Sequence, residues 1–187
     1  ICILHLDSAK KIEKDKFPAI ANRQEAATEN KHTPRQGQKI KKRILGKQNS
    51  LTVSGVGLGC MGFSHGYGPG PEKKEAIYLI RRAYEMGCTF FDTAEGYGAG
   101  MNEELVGEAI RSFRKDVILA TKLHILEDGR PLKKVIQEHL DASLKRLKTD
   151  YVDLYYQHRV NKRIPVEEVA EVMGSLIQKG KIRGWGQ

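Results

Sequence analysis

Four polar side chains in this sequence have the types and positions needed to move a proton onto a carbonyl. Asp92 closes the apolar run CTFFD, Lys122 closes ILATK, and His158 follows YVDLYYQ, so each ends a predicted strand. Tyr97 lies five residues after Asp92, between Gly96 and Gly98. A charge at the end of an apolar strand is desolvated and needs a partner, which makes Asp92 and Lys122 natural partners. A free tyrosine titrates near pH ~10, too high for efficient acid–base work near neutrality. A lysine ammonium beside a tyrosine favours its ionised form and brings it into range. Asp92 would hold Lys122 charged and in place, and His158 would donate a hydrogen bond to a carbonyl oxygen. With Tyr97 giving the proton, these groups make the protein half of a hydride transfer. Taken singly, each has a plainer role: a turn cap, a loop aromatic, a solvated lysine, a structural histidine. Only the combination points to chemistry, and Glu95, His65, His124 and His139 are assigned to the plainer class.

The surrounding pattern says how the four are positioned. Arg43–Leu45 and Leu51–Val53 flank Gly46-Lys47-Gln48-Asn49 and read as a hairpin. Strands are predicted at 55–60, 88–92, 117–121, 151–156 and 182–186. Helices are predicted at 72–86, at 103–113 with Asn102 as cap, at 131–147 opened by Pro131, and at 165–179 opened by Pro165. Such alternation means a parallel sheet with helical crossovers, whose C-terminal strand ends share one face. Two α/β architectures fit: an open doubly wound sheet, or the N-terminal part of a (β/α)8 TIM barrel, five of its eight strands.

Gly57, Gly59 and Gly62 match a dinucleotide-binding GxGxxG after a strand. That site needs the last glycine to open a helix whose N-terminus meets the diphosphate. Here the chain continues FSHGYGPGP, which cannot be helical, and the next strand-end acid, Asp92, comes too late. These glycines are better read as a tight strand and a flexible loop beside a cleft.

Composition narrows the partners. Of the net charge of +9, residues 1–43 carry 11 Lys/Arg against 5 Asp/Glu, whereas residues 44–187 carry 21 against 18. The basic excess therefore sits mostly in the leading segment, interleaved with acids and lacking interleaved aromatics, so no nucleic-acid partner is expected. Residues 1–40 show no helical or strand periodicity and are expected to be a disordered or non-native tail, leaving 41–187 as the folded unit. No apolar run is long enough to span a bilayer, so no membrane partner is expected. Cys2, Cys60 and Cys88 are odd in number with no CxxC spacing, which argues against a disulfide framework or metal site and favours a reducing, cytoplasmic setting.

The segments GLGCMGF, TFFDTAEGYG with NEELVGEAI, ILATK, LKRLKTDYVDLYYQHR and GKIRGWG together resemble the aldo-keto reductase family, from about Arg43 onward. The wording is most similar to its auxin-induced-like and perakine-reductase-like branch. The resemblance implies a (β/α)8 barrel with the hairpin closing its bottom, and Asp92, Tyr97, Lys122 and His158 as a catalytic tetrad. It also implies NADP(H) as cofactor, approached by Cys60, Met61 and Asp92, and a small-molecule aldehyde or ketone as substrate. Potassium-channel β subunits resemble the same family, so a non-catalytic, cofactor-binding regulatory subunit is the alternative. The run Gly98-Ala99-Gly100-Met101 is richer in glycine than is usual after the tyrosine and suggests a loosened loop. The family's phosphate-gripping residues would lie beyond Gln187, so this fragment is expected to be inactive alone.

Overall fold

The computed structural model describes residues 2–4, 40–46, 50–64 and 70–187. A hairpin comes first in the folded part: β2 (Lys42–Leu45) and β3 (Leu51–Ser54) pair antiparallel, with Arg43 opposite Val53. Five parallel strands follow, β4 (Val56–Gly59), β5 (Phe90–Asp92), β6 (Ile118–Leu123), β7 (Val152–Gln157) and β8 (Ile182–Gly186), adjacent in that order. Each is joined to the next by one helix: α1 (Lys73–Glu85), α2 (Met101–Ile110), α3 (Leu132–Leu147) and α4 (Val166–Gln178). The arrangement is the N-terminal part of a (β/α)8 barrel, one of the two architectures that the spacing left open and the one that the family resemblance implied.

Alternation along the strands sorts two cores. Phe91, Leu119 and Tyr155 point outward and are fully buried with Ile80, Ile110, Ile136 and Met173 of the helices. Phe90, Ile118, Ala120 and Leu154 point inward, where Leu51 and Val53 of the hairpin cover them. The same period of two that turns Phe90, Ala120 and Leu154 inward also turns Asp92 and Lys122 inward one step further along, and His158 two steps further, just past β7. The hairpin fills the inner face near the strand starts and leaves those ends open.

Two expectations are revised and one is met. Cys2–Leu4 form a strand, β1, paired parallel to β4 with Ile3 opposite Gly57. That departs from the aperiodic tail expected there, because an edge strand offers backbone donors and acceptors to any extended segment, whatever its side-chain pattern. Residues 5–39, like His65, lie outside the described residues. Asn102 is not the cap of α2. Gly100 occupies that position with φ of 91°, and Asn102 sits fully buried in the first turn. Its amide donates to the Cys60 carbonyl (2.8 Å) and to Ser64 Oγ (2.7 Å), and its carbonyl oxygen accepts from Thr93 Oγ1 (2.6 Å). A burial this deep rewards tertiary bonding over capping. Finally, Met61–Phe63 form one 3-10 turn, so no α-helix opens at Gly62 and the dinucleotide motif fails structurally as well.

Candidate active site

The inward ends of β5, β6 and β7 bring the expected residues together. Asp92 pairs in register with Ala120, so Lys122 stands two residues further along the neighbouring strand and reaches back to it. Its ammonium meets Asp92 Oδ1 at 2.5 Å, with both side chains largely buried (16% and 12% exposed). The same nitrogen donates to the Thr93 carbonyl at 2.8 Å and to the Tyr97 hydroxyl at 3.4 Å. Three donors thus meet three acceptors, and the lysine is aimed at the tyrosine by its other two bonds.

Tyr97 reaches this point on a 3-10 turn after β5, anchored by its N–H to the Ala94 carbonyl at 3.1 Å. Gly98, Ala99 and Gly100 run left-handed at φ of 57°, 53° and 91°, a path that the two glycines follow without strain and that an alanine rarely adopts. A side chain at Gly100 would come within 2.7 Å of Arg146 Cδ, so the glycine makes room for that arginine.

His158 follows β7 directly, its N–H donating to the Leu123 carbonyl at 2.8 Å. Its ring stands edge-on to Tyr97, with centroids 5.6 Å apart, and lies over His124 at 4.4 Å. Burial, then the positive charges of His124, Lys122 and Arg159, push its pKa down to about 4. At neutral pH it is an uncharged imidazole, with one N–H to donate. A cavity of about 370 Å³ opens here, walled by Phe90, Asp92, Lys122, Tyr156, His158 and Gln187 among others. Tyr97 is not part of that described wall and joins the site through Lys122.

Cys60 and Met61 stand differently. Cys60 is fully buried in the outer core, and burial pushes its thiol far above the ordinary range. Its backbone N–H and C=O are already bonded to Asp92 and Asn102, so neither side chain nor backbone is turned toward a ligand. Met61 is half-buried at the start of the 3-10 turn. Among the described residues no group of three or more His, Cys, Asp or Glu is placed to hold a metal ion.

Sequence reasoning passed over Glu95, His124 and His139. Glu95 accepts from the His124 N–H at 2.9 Å and meets His139 Nδ1 at 2.8 Å. A signal for His124 existed: it lies two residues after Lys122, and therefore on the same side of an extended chain.

The sequence profile described as "Aldo/keto reductase family" matches residues 55–187. The chain belongs to that family. A probable aldo-keto reductase of Glycine max is 39% identical over 146 residues, covering 74% of this chain and 42% of the relative. An oxidoreductase of Bacillus subtilis (strain 168), YqkF, is 42% identical over 154 residues, covering 79% of this chain and 48% of the relative. The chain thus spans less than half the length of these two curated relatives. Among solved structures, the holo form of a Bacillus halodurans aldo-keto reductase superposes with a TM-score of 0.68 at 38% identity, over 79% of this chain and 49% of that one. A Klebsiella pneumoniae aldo-keto reductase in complex with NADPH gives 0.66 at 33% identity, over 78% and 49%.

Proposed function

We propose that the protein carrying these residues is an NADP(H)-dependent reductase of aldehydes or ketones in which Tyr97 is the general acid. The observation that carries this is the ammonium of Lys122, held by Asp92 and directed at the Tyr97 hydroxyl, beside a neutral His158. The Tyr97 O–H gives its proton to the developing alkoxide, Lys122 stabilises the phenolate left behind, and His158 donates to the same oxygen and orients it. When bound, NADPH supplies the hydride. The donor set, an ammonium already neutralised by Asp92 beside an uncharged imidazole, suits the uncharged nicotinamide end of such a cofactor. Asp92 borders that end and Met61 would flank it, while the buried Cys60 would support the turn from behind. Among the described wall residues the one cation, Lys122, is committed to Asp92, so nothing there answers the phosphates. A polypeptide limited to these 187 residues is therefore expected to lack turnover.

No helix of the described residues is long and apolar enough to cross a membrane. Free, buried Cys60 and Cys88 support a reducing, cytoplasmic setting.

The test uses the full-length protein, NADPH and a panel of aldehydes and ketones. Tyr97→Phe should lower kcat by at least ~100-fold, the scale of general-acid loss, with NADPH affinity unchanged. Lys122→Met should lower turnover and displace the pH–rate profile. Equal turnover in Tyr97→Phe and parent removes Tyr97 from the proton step. NADPH binding without oxidation by any carbonyl points instead to the regulatory-subunit alternative.

A further inference from the structure

His158 lacks the support an active histidine ordinarily has. The orientation and tautomer of an imidazole are commonly set by a hydrogen bond at its far nitrogen, yet His158 Nδ1 is buried and meets no partner among the described residues. Rings flank it instead. Tyr97 stands edge-on at an interplanar angle of 83°, and the His124 ring lies against it tilted at 33° with centroids 4.4 Å apart.

The His124 ring is itself located from two sides. Its backbone N–H is bonded to Glu95 Oε1 at 2.9 Å. The ring also lies over Gly96, where an added side chain would come 3.7 Å from its Cε1. The other oxygen of Glu95 holds His139 Nδ1 of α3 at 2.8 Å. Support therefore runs from helix α3, through Glu95 and His124, to the face of His158.

We propose that His124 is a positioning residue for His158: its ring, packed against one face of the imidazole, fixes the group that faces the substrate carbonyl. The purpose of this device rests on the carbonyl-reductase reading, but its measurement does not. The charged and titratable groups facing the pair are Lys122 of β6, Glu95 and Tyr97 of the turn after β5, Arg159 after β7, and His139 of α3 behind Glu95. The tilted ring keeps water from one face of His158, and this desolvation opposes its protonation. Lys122 and Arg159 already place positive charge beside His158, so charge on a ring packed against it acts in the same direction.

The experiment follows the His158 Cε1–H signal by NMR through an acid titration of the full-length, histidine-labelled protein, assigned with His158→Gln. His124→Phe keeps a ring against His158 and removes its capacity for charge; His124→Ala removes both. The parent inflection is expected near pH 4. It should rise in His124→Phe, and rise further toward the ordinary ~6.5 in His124→Ala. An inflection that stays at the parental value in both variants overturns the proposal, whatever turnover does. If the inflections move as expected while the parent reduces no carbonyl, the reductase reading fails and the assignment of His124 stands.

Discussion

Replacing Arg146 with methionine should destabilise the protein more than neutralising the acid it binds. Glu103, on α2, is fully buried, with Oε2 accepting from Arg146 Nε at 2.6 Å and Oε1 from Thr121 Oγ1 at 2.5 Å. Arg146→Met leaves that carboxylate out of water with one neutral hydroxyl donor. Breaking a buried ion pair by removing one partner costs roughly 3–5 kcal/mol. The Arg146 side chain is 24% exposed, so some water reaches the gap and about 3 kcal/mol, the lower end of that range, is expected. Glu103→Gln keeps the shape and still accepts from Thr121, and the arginine left over is reached by solvent. It should cost about 1–1.5 kcal/mol. The double variant should resemble Glu103→Gln, giving a coupling of about 2–3 kcal/mol. Urea denaturation of the full-length protein followed by circular dichroism measures all four corners of the cycle. If Glu103→Gln costs as much as Arg146→Met, or the two add within about 0.5 kcal/mol, the reasoning from a stranded buried charge is wrong.

Two further outcomes follow from single positions. A side chain at Gly107 would lie 2.4 Å from the Leu147 carbonyl oxygen, forcing α2 and α3 apart; Gly107→Ala should therefore lower Tm despite gaining about 1 kcal/mol of helix propensity, a net loss of about 1–2 kcal/mol, and a raised Tm would refute the close approach. His158 is held neutral to about pH 4 when folded but has an ordinary value of 6.5, so between those values the unfolded chain binds more protons and stability falls as pH drops. Urea midpoints measured across that window should decline less steeply in His158→Gln than in the parent, and identical slopes would show that His158 is not the group responsible.

Local pattern in the sequence determined the elements and most of the site. Strand and helix periodicity is a short-range property, so the five parallel strands, four helices and the hairpin were legible to within a few residues. The convergence of Asp92, Lys122 and His158 was legible too, because parallel strands of alternating pattern carry their C-terminal side chains to one face. What the tertiary structure alone decided are contacts between distant elements. Asn102 has the composition of a cap, and only the close meeting of α2 with the turn after β4 makes it a buried bridge between Cys60 and Thr93. Arg146 reaches Glu103 across 43 residues, and His139 reaches Glu95 across 44. Those pairings depend on how each helix is rotated against the sheet, which no local pattern specifies. The same holds for β1, whose three residues carry no periodic signal and pair through the backbone of an edge that exists only after the barrel strands have assembled.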